Sequence, residues 1–269
     1  MTDTVPNTIS VLWRWLVWSL TWGWLALDAH ADDLKVLSAG AFKPVLVAVQ
    51  NDFESQSGHR LLISNDTAGG LQRRVLAGEG FDLVVSSPAS LAGMRAAGKL
   101  ADAEPTGLAR VSIGVAVAPG TAWPDISSVT AFQGALRSAR RIAYIDPAAG
   151  GSSGIYLDGL FERWGLRDEI RAKAILVPGG LVAARVMDGS ADLALHQISE
   201  IKAVPGAVLV GPIPAEIQHH TVYAAAVPVK GASVAAQALL AYLQAPHMAA
   251  LWRDKGMEPM EPTGATLRH

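Results

Sequence analysis

The chain of 269 residues is 50% apolar and 17% charged, with a formal net charge of −2 and a mean hydropathy of +0.26. This composition excludes a disordered chain, provides no basic field for nucleic acid or an anionic membrane, and at this length allows one large domain or two modest ones. Cysteine is absent, which excludes disulfides, thiolate metal sites and cysteine nucleophiles.

Five of the eight tryptophans, Trp13, Trp15, Trp18, Trp22 and Trp24, fall in the stretch VLWRWLVWSLTWGWLAL, which a single charge at Arg14 interrupts. Ala29-His30-Ala31 follows, completing the layout of a secretory signal: a short leading region, an apolar run and a small-residue cleavage site. The uninterrupted apolar run is shorter than the ~20 residues needed to span a bilayer. Residues 1–31 are therefore expected to leave on export to the periplasm. Losing Arg14, Asp3 and Asp28 leaves 21 basic and 22 acidic side chains and the tryptophans Trp123, Trp164 and Trp252.

Residues 34–37 (LKVL) predict a strand, Ser38-Ala39-Gly40-Ala41 a turn, and 44–53 a helix by apolar spacing. A second unit runs from strand 61–64 through a small-residue turn at 65–70 to a helix at 71–77. A third joins strand 81–85, the turn Ser86-Ser87-Pro88 and a helix at 90–97. Three βα units in succession imply a parallel sheet covered by helices. Two long apolar strands, 111–118 and 221–227, each close on a proline and are expected to cross between lobes. Between them the pattern restarts with strand 141–145, a glycine-rich turn, helix 155–164, strand 173–177, helix 181–188 and strands 193–196 and 208–210. Helices at 233–243 and 247–255 return to the first lobe. The expected plan is a signal at 1–31, lobe I at 32–112 plus 221–269, and lobe II at 113–220.

Ligands of open α/β sheets gather beyond the carboxyl ends of the strands, where helix N-termini present free N–H groups. The turns that reach that edge hold Thr67, Gly69, Ser86, Ser87, Ser152, Ser153 and Gly180, all small or hydroxylic, so an anion can approach the backbone closely. No lysine and hydroxyl follow the glycines as a nucleotide-binding P-loop requires. Ser152 has the G-x-S-x-G spacing of a hydrolase elbow, but it sits before a helix in the second lobe with no evident order of Asp and His partners. His219 and His220 lack metal-ligand spacing. Lys43 lies at the start of the first helix, and Arg73 and Arg74 are expected in the first turn of the second, where cations oppose the macrodipole unless a multiply charged anion binds.

LKVLSAGAFKPVL, FDLVVSS, IAYIDPAAGGSSGIYLDGLFERWGL and DGSADLALHQISEI resemble motifs of the periplasmic molybdate-binding-like branch of type II substrate-binding proteins, over nearly all of residues 33–262. The resemblance implies an α/β fold of two lobes, with mixed, mostly parallel sheets joined by two crossing strands and the ligand in the cleft. The ligand-binding candidates are Ala41, Phe42, Thr67, Gly69, Arg73, Ser86, Ser87, Ser152, Ser153, Gly180, Leu181 and Gln197. Molybdate binders carry a serine and a tyrosine hydroxyl where this chain has Ala41 and Gln197, so a different anion is expected.

The wording GGSSGIYL, KAILVPGGLVAARV, HQISEI and VPGAVLVGPIPAEIQ is similar to a subgroup that includes periplasmic aconitate isomerases. That subgroup implies interconversion of cis- and trans-aconitate by allylic proton transfer, with Lys43, His196 and Glu200 as candidates for moving the proton. It implies a monomer that uses no cofactor or metal and has a small carboxylate or oxyanion as its partner. The alternative is a non-catalytic receptor that delivers molybdate, tungstate or an organic acid anion to an ABC permease.

Overall fold

The computed structural model describes residues 32–260, so the expected leader and its cleavage site lie outside the described residues. Strand β1 (Asp33–Ala39) passes through one 3-10 turn, Gly40–Phe42, directly into helix α1 (Lys43–Ser57). Pro44 suits the first turn of α1, where its fixed φ is already helical and no N–H is needed. Gly58, at φ 73°, takes the left-handed conformation that ends the helix. Between them Val45, Leu46, Val49 and Phe53 form the buried stripe.

Strand β2 (Arg60–Asp66), helix α2 (Ala68–Leu76), strand β3 (Leu83–Ser86) and helix α3 (Pro88–Ala96) complete the first βα series. Strand β4 (Thr106–Val117) then leads to helix α4 (Val129–Ser138), strand β5 (Ile142–Ile145) and helices α5 (Ser152–Arg163) and α6 (Arg167–Arg171). Strand β6 (Ala174–Val177), helix α7 (Ala184–Met187), strand β7 (Leu193–Gln197), helix α8 (Ile198–Lys202) and strand β8 (Val208–Pro212) follow. The chain returns through strand β9 (His220–Ala226), helices α9 (Val234–Gln244) and α10 (Met248–Asp254), and strand β10 (Glu258–Pro259).

The strand order is β2-β1-β3-β9-β4-β7-β5-β6. β1 runs parallel to β2 and β3, and β5 runs parallel to β6 and β7, so each half has the parallel centre that βα units produce. β4 belongs to both halves: residues 106–112 pair antiparallel with β9, and residues 113–117 pair antiparallel with β7 and β8. Core residues change allegiance between Val111 and Ile113 and again between Ile213 and Tyr223, which makes two lobes with separate apolar centres. Trp252 and Tyr223 pack against Phe42 in the first, and Trp164 packs against Phe132 and Phe161 in the second.

Three local expectations change. Helix α4, capped by the Ser128 hydroxyl on Ala131 N–H and burying Phe132 and Leu136, was not expected. The helix expected at 181–188 is confined to Ala184–Met187. Arg73 and Arg74 occupy the last turn of α2, because the helix starts at Ala68 under a Thr67 cap, so both cations favour the macrodipole instead of opposing it. Among the described residues no helix is long and apolar enough to cross a membrane.

Candidate active site in the interlobe cleft

The loops after β1, β2, β5, β6 and β7 converge between the lobes. Their backbones touch because glycine stands where a side chain would collide. A Cβ on Gly69 would lie 2.8 Å from the Cα of Gly150, and one on Gly150 would lie 2.7 Å from the Cα of Gly69. Gly69 N–H donates to the Gly150 carbonyl across the cleft at 3.0 Å. The neighbouring Ala149 carbonyl accepts from the Thr67 hydroxyl at 2.5 Å and from the Arg73 guanidinium at 3.3 Å. These contacts latch the lobes together.

Thr67 has two roles, since its oxygen also accepts from Gly70 N–H at 2.9 Å and caps α2. Thr67→Val removes both contacts. Loss of such a cap costs about 1 kcal/mol, and at about 2–4 °C per kcal/mol for a domain of this size a correspondingly lower thermal midpoint is expected. An unchanged midpoint in a thermal melt would show that the cap contributes nothing.

Beneath the latch lies a cavity of about 30 Å³ lined by Gly40, Ala41, Thr67, Ser152, Ser153, Gly180, His196, Gln197 and Glu200, together with Asn65, Asp66 and Tyr223. Such a volume holds about two waters. Ser152 and Ser153 open α5, and Gly40 and Ala41 form the turn before α1, so both helix starts bring backbone N–H groups without intrahelical partners to the cavity. Two buried polar atoms of its lining, Nδ1 of His196 and Oε1 of Gln197, have no hydrogen-bond partner among the described residues. Gln197 is anchored by its amide, which donates to Thr221 Oγ1 at 2.8 Å.

His196 and Glu200 lie side by side in the lining. Their exposures are 1% and 7%, and His196 Nε2 lies 3.2 Å from Glu200 Oε2. A Cβ on Gly40 would lie 2.5 Å from Glu200 Oε1, so the turn after β1 abuts this carboxyl and a side chain there would displace it. The β7–α8 turn is held against that loop by Ser199, whose hydroxyl donates to the Ala41 carbonyl at 2.8 Å. Burial disfavours both charged forms: it pushes the Glu200 carboxyl up to about 8 and the His196 imidazole down to about 3. Burial thus favours the neutral form of each partner. Burial and the neighbouring Glu200 also raise the Tyr223 phenol.

The remaining sequence candidates lie elsewhere. Phe42 is wholly buried against Tyr223 and Trp252 and belongs to the core. Ser86 is buried outside the cavity lining, with its hydroxyl unpartnered among the described residues. Gly69 and Ser87 line an adjoining groove that shares Ala68 and Ser152 with the cavity and runs beside Tyr156 and His219, whose rings stack at 4.5 Å. Arg73 is exposed on the latch, and Lys43 and Leu181 border a third groove beyond Glu200. The sequence reading missed Asn65, Asp66 and Tyr223. Of these, Tyr223 was visible only as one position in an apolar strand.

Residues 34–258 match the model of a bacterial extracellular solute-binding protein family. An aconitate isomerase from a Pseudomonas species is 36% identical over 234 residues, covering 84% of this chain and 88% of that protein. The periplasmic molybdate-binding protein of Azotobacter vinelandii superposes with a TM-score of 0.65 at 20% identity, over 85% of this chain and 99% of that one. The sulfate-binding protein SubI of Mycobacterium tuberculosis gives 0.64 at 20% identity, over 87% of this chain and 88% of that one. Those two likenesses concern the fold. The matched family model, the extent of the 36% identical relative and the two-lobed architecture together make this chain a member of the bacterial extracellular solute-binding protein family.

Proposed function

We propose that this protein is a periplasmic aconitate isomerase, interconverting cis- and trans-aconitate in the interlobe cleft. The observation that carries the reading is Glu200, a buried carboxyl of raised pKa set among anion-binding loops. A receptor for a small oxyanion gains nothing from a carboxyl there, whereas a proton transfer at carbon needs a base whose pKa lies near the working pH. The 36% identical isomerase supports the same reading.

In its ionised form Glu200 takes a proton from the substrate methylene. The released C–H pair becomes the new C=C bond, and the old C=C pair moves towards the adjoining carboxylate. The same proton then returns to the former vinylic carbon, so no atom is gained or lost. N–H groups of the loops at Gly40 and Ser152 stabilise the extra negative charge of the dienolate. His196 holds the Glu200 carboxyl in place. Lys43, exposed at the border of another groove, is not the base in this scheme. A six-carbon tricarboxylate exceeds the closed cavity, so the Thr67–Ala149 latch opens for its entry.

A receptor for a small tetrahedral oxyanion is the second reading, favoured by the small closed volume; an ABC permease would then be the partner. Incubating the purified protein with cis-aconitate and resolving trans-aconitate by chromatography separates the two. Turnover is expected, and its absence across pH 6–9, with tight calorimetric binding of molybdate, would establish the receptor.

A further inference from the structure

Next to the cavity, and sharing Gly40, Asn65, Gly180 and Glu200 with it, lies a groove of about 380 Å³. Three lysines from three separate elements line it: Lys43 begins α1, Lys202 ends α8, and Lys255 follows α10. Among the described residues Glu200 is the only carboxyl in the lining, and burial favours its protonated form. Asp254 stands nearby, with a carboxylate oxygen 3.0 Å from the Lys255 ammonium, but its side chain is 65% exposed. Among the described residues Lys43 and Lys202 have no carboxylate within ion-pair distance. Lys43 also sits at the positive end of α1, where no acidic residue offsets it. Three like charges around one concave surface repel one another, and a bound polyanion would relieve that repulsion.

We propose that Lys43, Lys202 and Lys255 form a subsite for the carboxylates of the substrate that are remote from the reacting carbon. The inference rests on the isomerase reading and extends it, by separating a neutral proton-transfer chamber from a cationic anchoring groove. The division has a chemical logic. A trianion placed wholly beside Glu200 would oppose ionisation of that carboxyl, whereas ammonium groups at the far end neutralise the substrate and leave the base free to ionise. The subsite thereby selects tricarboxylates over shorter acids. Lysine suits the task because its flexible stem and compact charge follow a ligand that enters through an opening cleft.

The test is calorimetric titration with tricarballylate, a saturated tricarboxylate that has no double bond to move. Wild-type protein is expected to bind it more tightly at low salt than at 0.5 M NaCl. Lys43→Gln and Lys202→Gln should each weaken binding about 5-fold, the upper end for one exposed ion pair, and the double variant about 20-fold or more if the two add. Lys202→Arg should retain the wild-type affinity, and so should Lys230→Gln, which removes one charge outside the groove. In turnover assays the glutamine variants should raise KM for trans-aconitate and leave kcat nearly unchanged, as expected when uniform binding is lost. Tricarballylate affinity equal to wild type in the double variant would overturn the subsite while leaving the isomerase reading intact. Failure of wild-type protein both to bind tricarballylate and to isomerise aconitate would overturn the two together.

Discussion

Replacing Glu200 by glutamine is expected to lower kcat for aconitate isomerisation by about 10²–10⁴-fold, the usual contribution of a positioned general base. The amide keeps the size of the side chain and can still donate to His196 Nε2, so tricarboxylate affinity should be nearly preserved. In wild-type protein kcat/KM should rise with pH up to about 8, following ionisation of Glu200. Retention of more than a tenth of the activity by the variant would remove Glu200 from the proposed mechanism.

The same substitution makes a prediction about stability. In the folded protein Glu200 titrates near 8, above the ordinary carboxyl value of about 4.3. The folded state therefore holds a proton that the unfolded chain lacks, and stability is lost as pH rises through this window. His196 titrates near 3, below the ordinary imidazole value of about 6.5, so its contribution is present above that value and lost as pH falls towards 3. Where the windows overlap, the two slopes cancel. Stability should thus be flat from about pH 4.5 to 6.5, and should decline on the alkaline side by about 2 kcal/mol up to pH 8. Thermal melts should show that decline in wild-type protein and its absence in Glu200→Gln. Parallel profiles for the two proteins would mean that the carboxyl is ionised throughout.

Gly154→Ala is expected to be the most destabilising small substitution in the second lobe. Its new Cβ would lie 2.2 Å from the carbonyl oxygen of Ile145, so helix α5 would have to lift from the end of strand β5. Neither backbone can yield as a flexible side chain would. A cost of about 3 kcal/mol is expected, lowering the thermal midpoint by about 6–12 °C. Gly159→Ala, in the same helix, is the control: its Cβ would meet nothing nearer than the Arg163 guanidinium at 3.6 Å. That change should raise stability by about 0.5–1 kcal/mol through helix propensity. Equal midpoints for the two variants would contradict the close β5–α5 approach.

The βα units were legible because their signals are local. Alternating apolar runs, the Pro44 start and the small-residue turns each act within a few residues, so positions 34–97 could be parsed without knowledge of partners. Signals that depend on partners were harder to read. The first five residues of β4 include Gly107 and Arg110 and have little apolar pattern; they form a strand because β9 pairs with β4 along residues 106–112. Arg73 was placed in the wrong turn because the start of α2 depends on Thr67 capping Gly70.

The candidate site divides in the same way. From sequence alone the chain presents small and hydroxylic loops at the ends of parallel strands, no thiol chemistry and a nearly neutral surface, and these determined an α/β protein built to receive a small anion. Sequence could not rank Lys43, His196 and Glu200, because the ranking depends on solvent exposure. Only tertiary packing leaves Lys43 in water, pushes Glu200 against Gly40 and His196 where desolvation shifts its proton affinity, and brings Tyr223 from a distant strand to the same chamber. Burial is a property of the assembled lobes, and the chemistry of this cleft follows from burial more than from residue type.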